Sequence, residues 1–146
     1  MNAPKLAAAV VLALLPSLAG PAVAAPQEIK GKAILDHPCG KVSVEHMAKI
    51  HAGKFDEAFA LGTPEMLKEW KAVPADQRQM MTEMMQKMSS SEADYKKQIE
   101  AGGVLTIDGT KGTLTVTEET KDENGTSKST QTQNFEIHDK TCLISM

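Results

Sequence analysis

The hydrophobic period of this chain changes once, at Gly102-Gly103, and that change limits the fold more than any motif does. Before it, apolar residues recur every three or four positions; after it, they alternate with polar ones. A helix builds its buried face from the first spacing and a strand from the second. Helices therefore precede strands with no βαβ alternation. The expected class is α+β, with N-terminal helices packed on a C-terminal antiparallel sheet of three to four strands.

In "VSVEHMAKIHAG", Val44, Met47, Ala48 and His51 share a helical face, and Gly53 supplies a stop. "KFDEAFALGTPEMLKEWKAV" continues with Phe55, Ala58 and Phe59, a second stop at Gly62, and a restart in which Thr63 caps and Pro64 opens a helix. Met66, Leu67, Trp70 and Val73 form its apolar stripe. Pro74 restarts the pattern for "ADQRQMMTEMMQKM", and Ser91 with Asp94 fits the capping of one more helix, ended by Gly102-Gly103. Upstream of these helices, "KAIL" reads as strand or coil. Downstream, "GVLTIDG", "GTLTVTEET", "STQTQNFEIHD" and "TCLISM" alternate, with Asn124-Gly125 suited to a tight hairpin turn. Leu114, Val116, Phe135 and Ile137 are the expected inward positions.

The first 24 residues follow a different logic. Lys5, an apolar run from Leu6 to Leu18 and the small-x-small triplet Ala22-Val23-Ala24 have the order of a secretory signal peptide cut after Ala24. The run is shorter than the about 20 residues a membrane span needs, so no membrane anchor is expected after its removal. One domain, 25–146, remains, with a periplasmic or secreted address. Of the 16 Lys and Arg, Lys5 leaves with the leader, and 15 cations against 19 acids give a charge of −4. This mild acidity without a basic block argues against nucleic acid as partner. Cys39 and Cys142 are expected to pair in an oxidising compartment, the alternatives being free thiols or an intermolecular bridge.

The passage "AGKFDEAFALGT" between early helices, followed by strands to the last residue, resembles small exported proteins of the NTF2-like, cystatin-like superfamily. The resemblance implies a curved sheet wrapped against helices and a mouth that can hold a ligand. It implies no single activity, because members range from isomerases and dehydratases to binding modules without catalysis. The closing "KTCLISM" departs from the Trp-x-Ile ending of many such chains.

Five methionines fall in the ten residues of "QMMTEMMQKM". At 100° per residue, Met80, Met81, Met84, Met85 and Met88 span an arc of about 140°, with Glu83 and Lys87 outside it. Such an arc serves as core, as an adaptable surface for an apolar ligand or protein partner, or, through Met80, Met84 and Met88, as a soft thioether site for Cu(I). The expected ligand-binding residues are Met47, His51, Trp70, Met81, Met84, Met85 and Met88. His51 is read as a core or pocket histidine and His46 as solvated. His37 is read as structural, His138 as exposed, and Tyr95 as packing its ring with its hydroxyl in water. An isomerase or lyase would need His51 brought together with Tyr95 or Asp108, and the spacing does not bring them together. There is no GxSxG, HExxH or phosphate-cradling glycine loop. The leading expectation is a non-enzymatic binding module without a cofactor. Copper handling is the first alternative and a small NTF2-like isomerase or lyase the second.

Overall fold

The computed structural model describes residues 25–146, so the proposed leader lies outside the described residues. Strand β1 (Gln27–Lys30) leads through a 3₁₀ helix (Gly31–Asp36) into α1 (Pro38–His51), α2 (Phe55–Phe59), α3 (Pro64–Ala72), α4 (Ala75–Met88) and α5 (Glu92–Gly102). Strands β2 (Gly103–Asp108), β3 (Lys111–Asp122), β4 (Gly125–His138) and β5 (Thr141–Ser145) follow. The class is α+β, but the sheet has five strands, in the order β1-β2-β3-β4-β5, all antiparallel. The strand missed in the sequence is "QEIK", which adds to β2, whereas "KAIL" winds into the 3₁₀ helix and buries Ile34. Four residues with one inward apolar side chain, Ile29 opposite Leu105, are too few for alternation to register.

The helix ends follow their sequence signals. Thr63 accepts from the Met66 amide, and Ser91 accepts from that of Asp94. Gly53 takes the left-handed conformation, φ 75°, past the end of α1. At the change of period there is no linker: Gly103 closes α5 and begins β2. A side chain at Gly102 would meet the carbonyl of Thr117, so the glycine pair is what lets α5 lie against β3. Gly125, φ 134°, completes the β3–β4 hairpin around Glu123-Asn124.

One sheet face is apolar and the other is threonine-rich. Leu105, Leu114, Val116, Phe135 and Ile144 are buried beneath the helices, together with Ile34, Val44, Tyr95 and Ile99. Thr106, Thr113, Thr115, Thr117 and Thr132 hold the alternate positions. Beyond Thr117 the β3–β4 hairpin leaves the body as a ribbon in which every residue from 118 to 130 is exposed. A second, smaller cluster of Ile50, Phe55, Ala58 and Trp70 holds the short helices together.

Cys39, in the first turn of α1, is bonded to Cys142 of β5, with Cα atoms 5.0 Å apart and both residues buried. Closing a loop of 103 residues removes unfolded-state entropy worth about 4.7 kcal/mol. The variant carrying both Cys39→Ser and Cys142→Ser is expected to lose about 2 to 5 kcal/mol of unfolding free energy in a denaturant titration; stability equal to that of the parent would overturn this account of the bridge.

Candidate functional site

Helix α1 sets the site because it runs between the sheet and the short helices. Its buried positions are Cys39, Gly40, Ser43, Val44 and Ile50. The stripe read from sequence, Val44, Met47, Ala48 and His51, is therefore rotated by roughly 60° from the observed one. Cys39 and Ser43, too small to register as apolar landmarks, define the true centre. The rotation exchanges the two histidines. His46 turns inward, half-buried, with Nδ1 3.0 Å from the Ala58 carbonyl and its ring edge-on to Phe59. His51, the last residue of α1, is exposed and sits with Nδ1 3.1 Å from the Ser89 hydroxyl.

Between α1, the C-terminal end of α4 and the apolar sheet face lies a groove of about 340 Å³. Met47 and Ile50 form one wall, Met85 and Met88 another, and Leu114 lies in the floor. Gln131, Thr132 and Gln133 of β4 complete it along the edge of the sheet. Among the described residues no Asp, Glu, Lys or Arg lines it. A larger hollow of about 570 Å³ opens on the other side of α1, rimmed by Lys41, Lys49, Lys54 and Lys96. Two of these lysines are ion-paired: Lys49 reaches Glu57 at 2.8 Å, and Lys96 reaches Glu92 at 2.6 Å. The smaller groove carries the methionines and the inward histidine, and we take it as the candidate site.

A buried polar chain braces its base. The Ser43 hydroxyl donates to Gln133 Oε1, which leaves its oxygen to accept from the Tyr95 hydroxyl at 2.9 Å. Tyr95 is thus 3% exposed and hydrogen-bonded inside, not wetted at its hydroxyl as read from sequence. Burial pushes its phenol above the ordinary value, and the Ser43 contact opposes this only in part. The phenol stays neutral and its proton is committed to Ser43. Asp108 is exposed at the far end of β2 and joins neither histidine nor Tyr95.

Met47, Met85 and Met88 come together in the groove, whereas Met81 and Met84 do not line it and His51 lies at its outer margin beside Ser89. Trp70 does not join them. It is 3% exposed, stacked on Phe59 at 4.3 Å between centroids, with its indole N–H donated to Asp56 at 2.8 Å. It belongs to the small helical core, which Met85 touches from the groove side.

Helix α4 has no fully buried residue, and of the methionine arc Met85 alone, half-buried, packs against the smaller core. Met80, Met84 and Met88 are 72%, 56% and 74% exposed, and Met81 is also exposed. The helix is held by polar ties: Arg78 donates to the carbonyls of Lys71 and Val73 at the end of α3, and Gln86 donates to that of His51. His37 accepts from the Cys39 amide and lies beside the two disulfide sulfurs, whose lone pairs are not thiolate ligands in the bonded state. His138 is exposed, 3.4 Å from Glu136.

Burial holds the imidazoles of His46 and His37 below the ordinary value, at His46 against a smaller opposing effect of the Ala58 carbonyl. As pH falls, the unfolded chain takes up these protons first. Stability is therefore whole above about pH 6.5 and declines below it until the folded imidazoles protonate too. Urea titrations at stepped pH are expected to show that decline, shallower in His46→Gln; an identical slope in the variant would remove His46 from the account. Tyr95→Phe is expected to cost about 1 to 3 kcal/mol by leaving Ser43 without its donor in a buried site, read as a lowered urea midpoint.

No family model, no curated protein and no solved structure matches this chain.

Proposed function

We propose that this chain is an exported, non-enzymatic binding module that takes an apolar group in the groove between α1, α4 and the sheet. The observation that carries the reading is the lining itself. Met47, Met85 and Met88 converge on a cleft without an ionised side chain, and Met84 and Met80 continue the same greasy stripe outward along α4. Unbranched thioethers repack around varied shapes, so such a lining accepts an apolar small molecule or a side chain of a protein partner. A soluble domain keeps so many exposed methionines on one helix against the cost of leaving apolar area in water. A partner removes that cost.

Catalysis fits less well. The groove holds one imidazole and no carboxylate, and its phenol proton is already used by Ser43. The buried disulfide agrees with an oxidising compartment, periplasmic or secreted, and among the described residues no helix is long and apolar enough to cross a membrane. One antiparallel sheet with all its helices on one face supports the NTF2-like, cystatin-like reading.

The exposure of Met80, Met84 and Met88 at successive turns favours one second reading, a Cu(I) site. Anaerobic Cu(I) competition with a weak chelator separates the two. Retention of copper by the parent and loss in a variant with all three changed to Leu would establish the metal, and equal behaviour would exclude it.

For the leading reading, the uncharged fluorophore N-phenyl-1-naphthylamine is expected to brighten on binding. Met88→Lys is expected to weaken that binding roughly tenfold without lowering the melting temperature, since Met88 is largely exposed. Fluorescence indifferent to this change and to Met47→Gln would refute the site.

A further inference from the structure

The candidate groove has an open backbone edge as its fourth side. Within β4 the Ile137 amide donates to the Thr110 carbonyl, so the odd-numbered residues of this strand turn their N–H and C=O toward β3. The even-numbered ones face the other way. Asn134, Glu136 and His138 meet β5 on that side, but the described ladder stops at the Asn134–Ser145 pair, and among the described residues no strand pairs with the outward side of Thr132 and Thr130. The groove reaches this edge at Gln131, Thr132 and Gln133.

Elsewhere the sheet protects its margins. The Leu61–Thr63 segment covers β5, trading hydrogen bonds with both sides of Ile144. Strand β1 is four residues long and carries the Lys30–Glu28 ion pair. The margin of β4 beside the groove has neither device.

We propose that an extended segment of a partner protein adds to β4 as a continuation of the β5 row, bonding to the outward N–H and C=O of Thr132 and Thr130 and placing an uncharged, unbranched apolar side chain between Met47, Met85 and Met88. The proposal rests on the binding-module reading and narrows its ligand. An added strand turns alternate side chains toward the helices, which is the side on which the groove opens. The absence of ionised residues in the lining excludes a charged side chain from that position, because nothing there would pair with it. A second copy of this chain is the poorer occupant. Its own free edge, "GTSKSTQTQ", offers only polar side chains to an apolar cleft.

The probe is a blocked peptide alternating methionine with threonine, titrated by calorimetry, with N-phenyl-1-naphthylamine as the small-molecule control. Thr130→Pro removes an outward N–H while sparing the ladder to β3 and the groove lining, and proline is tolerated at a strand edge of this kind. The expected result is peptide binding that Thr130→Pro weakens roughly tenfold, with fluorophore binding unchanged, since Thr130 does not line the groove. In the unsubstituted protein, bound peptide is also expected to slow hydrogen exchange at the Thr130 and Thr132 amides, which keeps the test valid should the proline variant misfold. Peptide binding equal in both proteins, with exchange at those amides unaltered, overturns edge addition. Fluorophore binding without peptide binding overturns it too and leaves the module reading standing. Binding of neither overturns both. Self-association abolished by Thr130→Pro assigns the edge to a second copy and overturns the partner.

Discussion

The covalent bond between the first turn of α1 and β5 governs the arrangement of everything else. It lies inside the main core, and one helical turn beyond Cys39 the Ser43 hydroxyl ties the same helix to Gln133 and Tyr95. Two fixed points on one face of a helix determine its rotation about its own axis. With that rotation set, Met47 and Ile50 look toward the groove and Val44 toward the main core. The cleft is thus a product of how α1 is pinned.

Much of this architecture was legible in the residues. The change of period, the caps at Thr63 and Ser91 and the inward row Leu114, Val116 and Phe135 all follow from local chemistry that needs no distant partner, whereas the hairpin turn falls one residue earlier than Asn124-Gly125 suggests, at Glu123-Asn124. What was not legible depended on contacts across the fold. Strand β1 is too short to show a period and exists because β2 offers an edge. The inward turn of His46 follows from Cys39 and Ser43, whose small side chains leave no mark on a hydrophobic pattern. Tyr95 looked like an ordinary helix residue because the Ser43 hydroxyl that receives its proton lies 52 positions away.

The methionine arc shows why amphipathicity does not by itself mean burial. An apolar stripe must find a surface to cover it, and α4 comes after α2 and α3 have already closed a small core around Trp70. Stacking by Phe59 and the Arg78 guanidinium, 5.4 Å from the indole centroid, complete that core, leaving room for one methionine, Met85. The remaining methionines project outward while polar bonds from Arg78 and Gln86 hold the helix in place. The stripe put Met85 and Met88 on one face in the sequence, but nothing marked the strand edge beside them, because Gln131 and Gln133 carry no apolar signal.

The ribbon formed by the far ends of β3 and β4 contributes nothing to either core, and its tip at Glu123-Asn124 lies on the chain between the two cysteines. A protease that nicks the tip would sever a segment in which no residue is buried. The pieces would stay joined, since Cys39 belongs to one and Cys142 to the other. Scission there would leave one covalent species on a gel run without reductant, and the same tip is where new termini could be engineered with least harm to the body of the protein.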